Sequence, residues 1–169
     1  MTKTLVRAFL AGLIFMNLPC PAADPLRVEG GSIRIEFDAS MHSRVVALLG
    51  EHESPIGDFT ASEFIRAAGS DVKDFSLGSH QRGPIRDRLG SGFRTVITGT
   101  APSLKKVVTV TVYDAFPRMA FFDVEYTNTG TADLSVTGWT NQSYAISARS
   151  GVQPEFWSYQ SGSYENRPD

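Results

Sequence analysis

The stretch FRTVITGTAPSLKKVVTVTVYDAFPRMAFFDVEYTN, Phe93–Asn128, decides the fold class. It contains three runs, Phe93–Thr100, Leu104–Asp114 and Met119–Asn128, each dense in β-branched and aromatic residues. Such side chains suit a pleated, half-buried surface, and the intervening APS and AFPR carry turn-forming residues. The stretch therefore predicts an antiparallel meander of three strands.

The same reading extends outward. Towards the N-terminus, SIRIEFD alternates Ile33, Ile35 and Phe37 with Arg34 and Glu36, as a half-buried antiparallel strand does. SRVVALL, Ser43–Leu49, predicts a further strand after a turn that lacks glycine. Towards the C-terminus, NTGTAD reads as a turn. LSVTGWT then predicts a strand with Leu134 and Val136, and Trp139 as a further candidate, on the buried side. ASEFIRAAG, Ala61–Gly69, is the best candidate for a short helix, although Phe64 and Ile65 fit a strand equally. GSDVKDFSLGSHQRGPIRDRLGSG is polar and glycine-rich, which predicts long loops around one strand at Phe75–His80. Short strands recurring with Gly, Pro and Asn turns, and no internal repeat, predict an all-β, antiparallel β-sandwich.

The first residues obey a different logic. Lys3 and Arg7 precede the apolar run Ala8–Leu18, and the small residues Ala22 and Ala23 follow it. This is the layout of an export leader, 1–22, and the run is too short for the ~20 residues that span a bilayer. Lipidation at Cys20 is a weaker alternative, because NLPC lacks the small residue expected before such a cysteine. The expected product is a secreted or periplasmic β-sandwich domain, 23–169. Cys20 is the sole cysteine, so beyond the leader there is neither a disulfide nor a thiolate metal site, and packing must hold the domain. A net charge of −2 and a pI near 5.9 give no overall electrostatic footprint for nucleic acid or an anionic membrane. The expectation is no nucleic acid and no membrane partner.

Catalytic and cofactor motifs give little. EHESPIGD gathers Glu51, His52, Glu53 and Asp58 but lacks HExxH spacing and the oxygen pattern of a calcium loop, so these read as solvated loop residues. RGPIRDRLGSG sets Arg82, Arg86, Asp87 and Arg88 before a GxG. A strand follows the glycines where a phosphate loop needs a helix, and a hairpin turn with an exposed charge cluster fits better. His42, His52 and His80 are scattered, and no serine stands in GxSxG. No metal and no cofactor are expected.

The terminal FWSYQSGSYENRPD, Phe156–Asp169, follows neither strand nor helix periodicity. Its flat rings, with carboxylate, amide and guanidinium groups, suit sugar faces and hydroxyls. Trp157, Tyr159, Tyr164, Glu165 and Arg167 are the candidate substrate-binding residues, with Trp157 anchoring the segment and Tyr164, Glu165 and Arg167 facing a cleft.

GSGFRTVITGTAPSLKKVVTVTVYDAFPRMAFFDVEYTNTGTADLSVTGW, together with the terminal FWSYQSGSYENRPD, resembles the N-terminal β-supersandwich of family-36-type glycoside hydrolases, the alpha-galactosidase (melibiase) group. The resemblance covers roughly residues 26–169 and is most specific over 90–169. It implies a galactose-mutarotase-like supersandwich that ends where such proteins turn towards a catalytic (β/α)8 barrel. The family's two catalytic carboxylates belong to that barrel, so the resemblance assigns no catalytic residue here. It implies an N-terminal fragment whose partners are its own barrel and a galactoside-type carbohydrate. A stand-alone secreted β-sandwich that binds carbohydrate or protein is the alternative.

Overall fold

The structure, a computed structural model, describes residues 24–145. The leader and the five candidate residues of the terminal segment lie outside the described residues. Eleven strands form three antiparallel sheets, and no helix occurs among the described residues. The first sheet is β1 (Leu26–Glu29), β2 (Ile33–Phe37), β3 (Ser43–Leu49) and β4 (His52–Pro55), in sequence order. The second runs β10 (Phe121–Asn128), β9 (Leu104–Tyr113), β8 (Gly90–Ala101) and β7 (Ser76–Asp87). The third places β5 (Phe64–Ala67) between β11 (Val136–Thr140) and β6 (Ser70–Val72).

The expected meander is present, with β8 paired to β9 from Gly92↔Tyr113 to Ala101↔Leu104 and β9 paired to β10 from Thr111↔Phe121 to Leu104↔Asn128. Alternation aims Val108 and Val110 of β9 and Ile97 of β8 at the core. There they meet Val28, Ile35 and Phe37 of the first sheet and Ile65 and Ala67 of the third. All three sheets thus contribute to one core, the sandwich that the strand pattern predicts.

The turn between β2 and β3 manages without glycine. Asp38 Oδ1 accepts the backbone N–H groups of Ser40 (2.8 Å) and His42 (2.9 Å), and Met41 takes a positive φ of 56°. The carboxylate thus supplies acceptors that a bare backbone would lack. Met41 drops into the core beside Gly99, where a side chain on residue 99 would collide with it.

Two expectations change. Ala61–Gly69 is not a helix: Ile65 and Ala67 point inward, Arg66 points out, and the segment pairs on both sides. Ala67↔Ser70 leaves a two-residue turn with both members at positive φ, Ala68 at 49° and Gly69 at 80°. That is the turn twist that suits a tight antiparallel hairpin, and sheet pairing outweighs a weak helix preference. The polar section before residue 90 is not loop around a six-residue strand. It forms β7, twelve residues long and paired with β8 down to Asp87↔Gly90. Glycine and arginine are tolerated there because β7 is an edge strand exposed along most of its length.

The polar face of β2 also departs from expectation. Arg34 and Glu36 are buried, not solvated. The register sets Glu36 opposite Arg27 on one side and Arg44 on the other. Arg44 closes on Glu36 Oε2 at 2.7 Å, and Arg34 Nε lies 2.8 Å from Oε1. Arg34 also grips Glu53 of β4 with two prongs, at 2.7 and 2.5 Å. Each sign is answered by its cross-strand neighbour, which is what makes burial of the layer tolerable.

Two substitutions test this packing. A methyl group added at Gly92 meets the backbone of Val112 and Tyr113, neither of which can swing aside. Gly92→Ala should therefore lower the free energy of unfolding by about 1–3 kcal/mol, seen as a lower urea midpoint at constant slope. Gly83→Ala, with open space around it, should leave the midpoint within about 0.5 kcal/mol of wild type. Ala68→Asn should raise the midpoint, because Asn tolerates the left-handed backbone better than Ala does.

Candidate functional site

β10 and β11 each lie at the edge of their sheet, and a groove of about 310 Å3 opens where they face one another. Phe122, Asp123, Val124 and Tyr126 line it from β10, and Trp139, Thr140 and Asn141 line it from β11 and the residue after it. On β10 the odd and even positions part company. Phe122, Val124 and Tyr126 pack towards the core, while Asp123 and Glu125 face outward. Asp123 therefore stands at the rim with a partly buried apolar floor beside it.

Trp139 is the salient residue. Val136 pairs with the buried Ala67 and Trp139 with the buried Ile65, so both share the inward-facing side of their sheet. A register shift between Val136 and Gly138 produces this, because three residues of spacing would otherwise put the two on opposite faces. Yet Val136 is 52% and Trp139 79% exposed. The expectation that they are buried is corrected: the face is right, but β11 is an edge strand and both side chains stay exposed. Leu134 alone of the three packs on the core.

The segment after β11 is tied down by backbone and side chain together. Ser143 N–H donates to Ser62 C=O at 3.0 Å, and Thr60 Oγ1 donates to Ser143 C=O at 3.1 Å. Tyr144 O–H meets Ser43 Oγ at 2.8 Å, and Ser43 Oγ in turn meets Ser62 Oγ at 2.5 Å. These bonds hold Asn141, and with it one wall of the groove, against β3 and the approach to β5.

Beneath the floor lies a wholly buried ion pair. Lys106 Nζ donates to Glu63 C=O at 2.6 Å and stands 3.7 Å from Glu63 Oε2, which also accepts Ser62 Oγ–H at 2.7 Å. Lys106 lies 5.4 Å from the centre of the Phe75 ring, and Phe75 packs on Tyr126 with ring centres 5.9 Å apart. Burial pushes the Glu63 carboxyl above the ordinary carboxylate range and pulls the Lys106 ammonium below the ordinary lysine value. Their mutual attraction opposes both shifts. Tyr126 is raised by burial and by Glu63, and Tyr144 is pushed up to about 12 for the same two reasons. Glu63 Oε1 and Tyr126 Oη are buried with no hydrogen-bond partner among the described residues.

The acidic cluster of the sequence does not assemble. His52 and Glu53 stand exposed on β4, in a strand where a loop was expected, and Glu53 is taken by Arg34. Glu51 and Asp58 are exposed beside it, and no group of three potential metal ligands occurs among the described residues. The expected exposed charge cluster is present, but Arg82, Arg86 and Asp87 belong to β7 and only Arg88, with Leu89, forms the hairpin turn. Asp87 Oδ1 accepts Leu89 N–H at 2.8 Å, and Asp87 Oδ2 accepts Tyr113 O–H at 2.8 Å. The groove residues Asp123, Trp139 and Asn141 were not foreseen as a site. The legible signal was the three-residue spacing of Val136 and Trp139, which breaks strand alternation.

The buried pair makes a stability prediction. Lys106→Met leaves the Glu63 carboxylate without its partner and should cost about 3–5 kcal/mol, whereas Lys106→Met/Glu63→Gln should recover most of that loss. Because the Glu63 pKa is higher folded than unfolded, its contribution is full below the ordinary carboxylate value and is lost as pH rises through the folded value. Urea midpoints from about pH 4 to about pH 7 should therefore show the wild type losing ground to the double variant as pH rises.

No protein-family model matches the chain, and no curated protein matches it either.

Proposed function

We propose that this β-sandwich is a non-catalytic, carbohydrate-contacting module of a secreted glycoside hydrolase of the alpha-galactosidase type, and that sugar lies in the groove between β10 and β11. The observation that carries the reading is Trp139, a 79% exposed indole beside the Asp123 carboxylate and the Asn141 amide. A tryptophan offers roughly 150–250 Å2 of surface, and leaving it in water forgoes a large hydrophobic gain unless something covers it. A flat ring flanked by a carboxylate and an amide suits a sugar, whose C–H face covers the ring while its hydroxyls pair with planar acceptors and donors. The groove is shallow and open, and it fits one or two sugar rings better than an enclosed substrate. The resemblance to the alpha-galactosidase group supplies the galactoside class.

Exposed Val136 on the same face as Trp139 favours one second reading, in which the strip docks a protein domain such as the expected catalytic barrel. One experiment separates the two. Trp139 and Trp157 are the only tryptophans, so Trp157→Phe makes Trp139 the sole indole reporter. Titration with galactomanno-oligosaccharide should blue-shift and saturate the Trp139 emission, and Asp123→Ala should weaken binding at least about tenfold, or 1.4 kcal/mol. In the wild-type background Trp139→Ala should abolish retention in galactomannan affinity electrophoresis. Unchanged emission, unchanged mobility and reduced aggregation of Trp139→Ala would replace the sugar reading with the docking one.

A further inference from the structure

The net charge of −2 hides a local excess of the opposite sign. The hairpin β7–β8 carries Arg82, Arg86, Arg88 and Arg94 against a single acid, Asp87. That acid is committed to the turn through Leu89 and Tyr113. All four arginines are exposed, and none takes part in an ion pair among the described residues. Elsewhere the balance is reversed: of the eight other described lysines and arginines, Arg27, Arg34, Arg44, Arg66, Lys73 and Lys106 each lie within ion-pair distance of a carboxylate, and Lys105 and Arg118 do not.

Register places the free guanidiniums. Arg82 is opposite Thr95, Pro84 opposite Phe93 and Arg86 opposite Ser91, so Arg82, Arg86 and Phe93 share one face of the ribbon. Arg82 lies over the Phe93 ring at 4.4 Å, which holds one guanidinium flat, and Phe93 is itself 42% exposed. Arg88 sits in the turn, and Arg94, opposite Gly83, extends the charge to the other face. One or two charges suffice to keep an edge strand from pairing with another chain, and Pro84 already removes a donor from this one. Four arginines with one ring-braced guanidinium exceed that need.

We propose that the β7–β8 hairpin is a second binding surface, distinct from the groove, that takes a linear carboxylated polysaccharide of the polyuronate class. A planar guanidinium pairs with a carboxylate through two parallel N–H···O bonds, as Arg34 does with Glu53 within this protein. Arg82 and Arg86 present such donors four residues apart on one face of the twelve-residue β7, and Arg88 continues the charge into the turn, which suits an extended polymer. The export leader expected at residues 1–22 would carry the chain out of the cytoplasm, which favours an acidic glycan over nucleic acid as the polyanion.

The test is retention of the full chain on immobilised polygalacturonate at low ionic strength. Retention should be lost on raising the salt, because exposed charge pairs are screened. Arg82→Gln/Arg86→Gln/Arg88→Gln should weaken it at least about tenfold while the urea midpoint falls only slightly, since all three side chains are exposed and only the Arg82 contact with Phe93 is lost. Trp139→Ala should bind polygalacturonate as the wild type does, which keeps this result separate from the fate of the groove reading. Three outcomes overturn the proposal: equal retention of the triple variant, loss of retention in Trp139→Ala, or tighter retention on single-stranded DNA or dextran sulfate than on polygalacturonate.

Discussion

A lysine with no exposed surface, Lys106, joins the sheets on which everything else depends. It belongs to β9 in the middle of one sheet, and its partner Glu63 immediately precedes β5 in the middle of another. An ammonium in that position needs fixed oxygen acceptors. The Glu63 carbonyl and carboxylate supply them, and Ser62 steadies the carboxylate. The register of β5 follows, because Glu63 must face Lys106 while Ile65 and Ala67 reach the apolar core two and four residues later. Ser62 continues the chain of contacts through Ser43 to Tyr144, so the same polar cluster fixes the backbone beyond β11.

The protein handles charge in three ways, and the contrast is informative. Lys106 and Glu63 form a deep pair whose burial disfavours both charges and whose worth is orientation more than stability. Arg34, Glu36, Arg44 and Glu53 form a layer in which each buried charge has an oppositely charged neighbour, Arg44 across the strand from Glu36, and Glu36 and Glu53 beside Arg34. The arginines of the β7–β8 hairpin stay in solvent without a carboxylate partner among the described residues, which is the arrangement of a surface and not of a scaffold.

Both edge strands facing the groove owe their character to sheet ends. β10 has β9 on one side and β11 has β5 on one side, so side chains that alternation turns inward are not covered as they would be in the middle of a sheet. Phe122, Val124 and Tyr126 still reach the core, whereas Val136 and Trp139 stay exposed. The groove is thus the gap left between two sheets of different extent, floored by apolar groups and rimmed by Asp123 and Asn141.

Much of the fold was legible in the sequence. The β-branched runs around Val96, Val108 and Val124 specify strands by their own sterics, and Ser43–Leu49 matches β3 at both ends. The hairpin turn at Arg88–Leu89 was readable because glycine and charge mark an exposed turn, although the arginines before it belong to β7. What sequence alone left open at Ala61–Gly69 was settled by pairing with β11 and β6, since four or five residues carry too little periodicity to choose between strand and helix. Arg34 and Glu36 read as solvated because alternation names a face and not what covers it. Their burial comes from Arg27, Arg44 and Glu53, which only register brings alongside. The groove was hidden for the same reason: alternation turns Trp139 inward, but its exposure depends on β11 standing at a sheet edge. The sequence by itself determined the strands and their apolar faces, because those follow from local sterics and a period of two. The tertiary structure alone decided which faces are covered, because cover comes from residues far apart in the chain.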